Sequence, residues 1–99
     1  MPQFRRKPID TVIDVRSQIE FWLGHLPGAV CMPVDSIAEK IQSKDGVTKS
    51  SRILVYCASG MRSASAAQQL RALGYTNVVD GGGINSARAD FTEYDGTTP

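Results

Sequence analysis

In the stretch "YCASGMRSASAA", Cys57 ends an apolar run and Arg62 follows it with four residues between. A thiol is a weak nucleophile until it is ionised, and the residues after Cys57 are of kinds that favour ionisation. Gly60 admits the positive φ that a tight backbone cradle needs. Ala58 and Ser59 are small enough to leave such a cradle open. Where the loop feeds a helix, the N–H groups of residues 58–63 can point at one centre, and the helix dipole adds partial positive charge there. Arg62 adds a full charge. Such a pocket suits an anion on or near sulfur: a thiolate, a persulfide or an oxyanion. A cysteine at a strand end is otherwise commonly an inert small hydrophobe. Cys31, in an apolar segment without such neighbours, is read as core.

The surrounding pattern places Cys57 where such chemistry is possible. "RILVYC" is nearly continuous in apolar residues, as a central parallel strand should be, and Cys57 is its last residue. After it the period becomes helical, with Ala64, Ala67, Leu70 and Leu73 marking a buried face and Gly74 a C-cap. Upstream, Thr11–Val15 reads as a short buried strand. Ser17 and Glu20 form an S-x-x-E capping box for a helix to about Leu23, closed by Gly24 in a left-handed conformation. Ala29–Cys31 reads as a short strand. Ser36 and Glu39 form a second capping box for a helix to about Ile41, and residues 42–51 read as a polar loop. Asn77–Val79 is the last strand, ending in "DGGGINSA". Met1–Pro8 and Glu93–Pro99 read as loose ends. The alternation predicts one α/β domain over residues 1–99, with a core of about 9–92 and a mostly parallel central sheet flanked by helices on both faces. In such sheets ligands bind outside the carboxyl ends of the strands, and Cys57 sits at one.

Composition excludes several other classes. The chain has 99 residues, 41% apolar and 21% charged, with net charge +1. That balance gives no pull toward nucleic acid or a membrane surface. No apolar run approaches transmembrane length. The basic first eight residues are followed by no apolar leader, which fits the cytoplasm, or the periplasm if a signal peptide has been removed. Two cysteines and one histidine supply neither a disulfide-dependent mini-fold nor a zinc site. No metal or cofactor is implied, and a monomer is expected.

The order and spacing of two longer segments resemble the rhodanese family, sulfurtransferases that carry sulfur as a cysteine persulfide. "IDVRSQIEFWLGHLPGAVCMPV" is similar to the family's N-terminal signature: D-V-R after the first strand, an aromatic in the helix, then G-H, P-G-A and a later proline. "LVYCASGMRSASAAQQLRALGYTNVVDGGG" is similar to its active-site half, with C-x-x-G-x-R-S, a G-Y before the last strand and closing glycines. The length is closest to small single-domain rhodaneses, including the phage-shock-protein type. The resemblance implies a rhodanese fold and makes Cys57 the sulfur-accepting nucleophile. Ala58, Ser59, Gly60, Met61, Arg62 and Ser63 become the loop that holds the persulfide and substrate, with Arg62 touching the substrate anion. Asp14 and Arg16 match a structural element near the site. His25 matches the G-H motif and is read as structural at the turn, not as a general base, since nothing places it beside Cys57. Phe21 and Trp22 are read as core. Ala87 and Arg88 stand where many relatives carry a tryptophan.

Three functions compete. In the first, thiosulfate or a similar small anionic donor passes sulfur to Cys57, and cyanide or a thiol removes it. In the second, a phosphatase or arsenate reductase uses a C-x5-R loop; here four residues separate Cys57 from Arg62, and the smaller ring of amides fits one sulfur atom better than a tetrahedral oxyanion. In the third, the domain is a sulfur carrier or docking module whose partner supplies the chemistry.

Overall fold

The computed structural model describes residues 2–93. The chain runs β1 (Gln3–Phe4), β2 (Lys7–Pro8), β3 (Thr11–Asp14), α1 (Gln18–Leu23), β4 (Val30–Cys31), α2 (Ile37–Lys40), a 3-10 turn (Ile41–Ser43), β5 (Arg52–Cys57), α3 (Met61–Ala72), β6 (Asn77–Gly83), α4 (Ile84–Asp90) and β7 (Phe91–Thr92). Strands β4-β3-β5-β6 form a parallel sheet in that order, with β5 inside it.

The apolar continuity of β5 follows from its burial on both faces. Ile53, Val55 and Cys57 point into one core with Ile37, Ile41, Ala66, Ala67 and Leu70 from α2, the 3-10 turn and α3. Leu54 and Tyr56 point into the other, with Phe4, Leu26 and Ala87, against which Phe21 of α1 and Ile84 of α4 pack. Residues Ile53 to Cys57 have no exposed surface, and each large aliphatic side chain so buried contributes about 1.5–3 kcal/mol. Helices therefore cover both faces, as the strand and helix alternation implies.

Asp14, at the carboxyl end of β3, is buried and ionically paired with Arg16 two residues on. Arg16 Nε donates to Asp14 Oδ1 at 2.9 Å and Nη2 to Oδ2 at 2.7 Å, while the Arg16 amide donates to Oδ1 at 2.9 Å. Arg16 Nη2 also donates to the Gly24 carbonyl at 2.6 Å. The D-V-R segment thus ties the end of β3 to the end of α1. The pair also faces Tyr56, whose ring lies 5.8 Å from the Arg16 guanidinium.

Several local expectations are corrected. The buried face of α3 is Ser63, Ala66, Ala67 and Leu70, whereas Ala64 is exposed and Leu73 only partly buried. A strict three-residue row drifts around a helix of 3.6 residues per turn, so Ala64 and Leu73 cannot share one face. The first capping box forms in full: the Glu20 amide donates to Ser17 Oγ at 3.3 Å and the Ser17 amide to Glu20 Oε1 at 3.1 Å. The second does not, because Ser36 has φ −125° and ψ 0°, outside the extended region a cap needs, and its hydroxyl donates to the Pro33 carbonyl instead. Gly24 closes α1 with φ 149° and ψ 136° rather than in a left-handed turn. β6 runs on to Gly83 rather than ending at Val79, and α4 follows where the sequence reading has no helix. Residues read as a loose N-terminus form the β1–β2 hairpin, which pairs with β7. Of the expected loose C-terminus, only Glu93 lies within the described residues.

Replacing Asp14 by Asn leaves the Arg16 guanidinium buried without a counter-charge. This variant is expected to lose about 3–5 kcal/mol of stability, read as a lower urea midpoint with unchanged slope. A midpoint near that of the unmodified protein would refute the strut role of the pair.

Candidate active site

Cys57 is the last residue of β5 and is fully buried. The chain then turns through Ala58–Gly60 into α3, with Gly60 at φ 105° as the N-cap. That conformation is open to glycine and rarely to other residues. It swings the backbone around the thiol, so that the Gly60 amide donates to Cys57 Sγ at 3.0 Å and the Ser63 amide at 3.3 Å. Ser63 Oγ donates to the Gly60 carbonyl at 3.0 Å, bracing the loop. Ala58 and Ser59 are exposed, and their small side chains leave the loop uncovered.

Burial alone pushes the Cys57 thiol up. Hydrogen bonding from Ser63, Gly60 and Ser59 outweighs it, and the thiol lies below its ordinary value. These are hydrogen bonds to the charged form, which a sulfur anion accepts and a thiol accepts poorly. The arrangement stabilises negative sulfur at the end of a central strand. Cys31 differs. It is half-buried, not core as expected, and its thiol is pushed up, first by burial and then by the Asp14 charge. Both cysteines are free.

The closing glycines belong to this site by contact. Gly83 pairs with Cys57 at a register shift between β5 and β6. A Cβ on Gly83 would lie 2.6 Å from the Ala58 carbonyl oxygen, closer than real contacts allow and against backbone, which shifts only at a cost. The absence of a side chain there lets β6 support the Cys57 loop directly.

Arg62 is not directed freely outward. Its Nη1 donates to Glu20 Oε1 at 2.7 Å and its Nη2 to Glu20 Oε2 at 3.0 Å. Glu20 also completes the cap of α1, so one carboxylate serves the helix end and the loop cation. The Arg62 guanidinium beside it and the Ser17 amide draw the Glu20 carboxyl down to about 2. The Arg62 charge is strengthened first by Glu20 and further by Cys57 and Asp14.

The remaining candidates are placed apart from the thiol. His25 is exposed, stacks on Phe21 with ring centroids 3.7 Å apart, and bonds through Nδ1 to the Phe21 carbonyl at 2.8 Å. Its contacts are those of a turn brace. Phe21 is half-buried, but Trp22, read as core, is 86% exposed. The helix α1 is too short to bury both sides, and its packing goes through Phe21. Met61 is also exposed. A concavity of about 540 Å³ lies at the opposite end of the sheet, lined by Arg52 and Asn77 at the starts of β5 and β6, and does not touch the Cys57 loop. Among the described residues no helix is long and apolar enough to cross a membrane, and no cluster of three His, Cys, Asp or Glu could hold a metal.

A parallel sheet whose central strand ends in a thiol held by loop amides defines a class, and comparison with known proteins gives it a family. The family model of the rhodanese-like domain matches residues 3–87, and the chain belongs to that family. It is 33% identical over 72 residues to the thiosulfate sulfurtransferase PspE of Escherichia coli, covering 73% of this chain and 68% of that protein. It is 30% identical over 86 residues to the tRNA uridine(34) hydroxylase of Erwinia tasmaniensis, covering 82% of this chain but only 25% of that protein. The chain thus spans about a quarter of the hydroxylase. The solved structure of a rhodanese with anions from E. coli superposes with a TM-score of 0.74 at 28% identity, covering 85% of this chain and 98% of that one.

Three outcomes are expected at the loop. With Cys31 replaced by Ser, the pH dependence of iodoacetamide alkylation should show Cys57 ionising below the ordinary thiol value of about 8.5. Ser63→Ala should move that inflection upward, and an unmoved inflection would contradict the hydroxyl's part in bracing the loop around the sulfur. Gly83→Ala should cost about 1–3 kcal/mol in thermal or urea unfolding and slow alkylation of Cys57, because the new methyl must displace the Ala58 carbonyl.

Proposed function

We propose that the protein is a sulfurtransferase that moves sulfane sulfur from a donor such as thiosulfate to a thiol or cyanide through a persulfide on Cys57. The observation that carries this reading is the pair of amide bonds from Gly60 and Ser63 to Cys57 Sγ. Membership of the rhodanese family supports it, as does likeness to a thiosulfate sulfurtransferase over two thirds of that protein.

In the loading step the Cys57 thiolate attacks the outer sulfur of thiosulfate. A new S–S bond forms, the old one breaks, and its electron pair leaves with sulfite. Cys57 then carries a persulfide anion, and the amides that held the thiolate are positioned to hold the terminal sulfur. In the second step cyanide or a thiolate attacks that terminal sulfur. The S–S bond to Cys57 breaks, thiocyanate or an acceptor persulfide leaves, and the Cys57 thiolate returns. Neither step needs a proton delivered to its leaving group, which agrees with a loop that holds negative charge and has no histidine beside it.

A phosphatase reading fits less well. An arginine that clamps a tetrahedral oxyanion must present its guanidinium to the loop centre, and Arg62 spends both terminal nitrogens on Glu20.

Intact-protein mass spectrometry after excess thiosulfate is expected to show one added sulfur, removed by cyanide. Cys57→Ser should abolish the adduct while keeping the fold, since only a thiolate takes up sulfane sulfur, and Cys31→Ser should retain it. Hydrolysis of p-nitrophenyl phosphate by the unmodified protein, lost in Cys57→Ser, would overturn the reading.

A further inference from the structure

The loop from Cys57 to Ser63 has a single cation, Arg62, and the fold pairs it with a carboxylate. Both guanidinium contacts go to one carboxylate, at 2.7 and 3.0 Å. That carboxylate is itself held. Glu20 Oε1 accepts from the Ser17 amide at 3.1 Å and from the Ser17 hydroxyl at 3.0 Å. Helix α1, which carries Glu20, is fastened at its far end by the Arg16 contact to the Gly24 carbonyl. Glu20 therefore has little freedom to swing away when a ligand arrives. The pair lies at the surface, with 38% of the Arg62 and 32% of the Glu20 side chain exposed, so a donor approaching the loop meets both charges together and a net charge of zero.

The rest of α1 extends the same character. Ile19, Trp22 and Leu23 are 73%, 86% and 84% exposed. The helix that bears the carboxylate thus presents apolar side chains to solvent and contributes no cation.

We infer that Glu20 is a specificity-determining residue of the Cys57 site: by withdrawing Arg62 it disfavours dianionic donors such as thiosulfate and favours sulfane sulfur carried on an organic thiol. This rests on the sulfurtransferase reading and names the donor class within it. An organic persulfide transfers its outer sulfur in a balanced step. The Cys57 thiolate attacks the terminal sulfur of R–S–SH, the donor's S–S bond breaks, and R–S⁻ leaves with its electron pair while the proton stays on the transferred sulfur, with no change in overall oxidation state. Such a donor carries at most one charge on its sulfur, whereas thiosulfate carries two and leaves as the sulfite dianion. The Glu20 carboxyl, at about 2, stays ionised at every pH where a thiolate exists, so the neutralisation is constant.

The test uses the full chain and compares loading of Cys57 by thiosulfate and by 2-hydroxyethyl persulfide generated in situ, followed by intact mass. Glu20→Gln is the informative variant, since a glutamine at that position can still complete the cap while it releases the Arg62 charge. The ratio of thiosulfate to persulfide loading is expected to rise about three- to ten-fold. The gain should appear in the thiosulfate KM more than in kcat, should shrink as salt is raised, and should vanish in Glu20→Gln/Arg62→Ala. A merely structural Glu20 would slow both donors together. The unmodified protein gives an independent readout: its thiosulfate loading should change little with ionic strength. Steep inhibition by salt there, or a folded Glu20→Gln with an unmoved ratio, would overturn the inference while the adduct itself upholds the sulfurtransferase reading. Absence of any adduct from either donor would overturn both.

Discussion

The Asp14–Arg16 ion pair is the contact on which the geometry of the carboxyl end of the sheet depends. Two opposite charges are buried where the first core strand ends, and each must be answered by several hydrogen bonds to offset its desolvation. One of the bonds that does so reaches out of the pair: Arg16 takes the Gly24 carbonyl at the end of α1. Beside it the Asp14 main-chain carbonyl accepts the Met32 amide, which holds the end of β4 against β3. Tyr56, one residue before the thiol, lies against the guanidinium, and its hydroxyl accepts the Leu26 amide at 3.0 Å. Satisfying one buried pair thus orients the short helix α1, which has no fully buried residue to orient it by packing.

The site then combines two supports of different physical kinds. From one side the backbone of β6 approaches the Cys57 loop so closely that only glycine fits at position 83. From the other, α1 delivers a carboxylate to Arg62. The thiolate itself is held by neither. Its charge is met by amides within its own loop, whose directions are set by the Gly60 turn and the start of α3. This separation leaves the acidity of the Cys57 thiol to its own loop and the charge beside that loop to α1.

What was legible in the sequence follows the range of the interactions. β5, the Cys57 loop, α3 and the Ser17–Glu20 cap are built from contacts within a few residues, and their patterns stand in the local order of side chains. The strut role of Asp14 and Arg16, read from the resemblance, is likewise a contact across two residues. The Glu20–Arg62 pair spans 42 residues. Nothing local marks it, and Glu20 was already explained as a cap residue, so its second partner had no signal of its own. The N-terminal hairpin was missed because its strands are two residues each and exist through pairing with β7. Helix α4 was missed because Asn85, Ser86 and Arg88 dilute an apolar face made of little more than Ile84 and Ala87. Trp22 reads as core beside Phe21 in the sequence, whereas a six-residue helix packing through Phe21 leaves its opposite side in solvent.

The pairing of β1 with β7 has a topological consequence. Gln3 lies opposite Thr92 and Phe4 opposite Phe91, with Arg5 bonded to Asp90 across the same ribbon. The backbone enters and leaves the domain through neighbouring, oppositely directed strands, on a small sheet separate from the one that ends in Cys57. A unit with that geometry can be spliced into a host chain as though it were one long loop, or have its ends joined and be reopened elsewhere, without moving the thiol. Tension applied through the two ends would load the β1–β7 ribbon bond by bond, like a zip, and the parallel sheet would feel it only after the ribbon had parted.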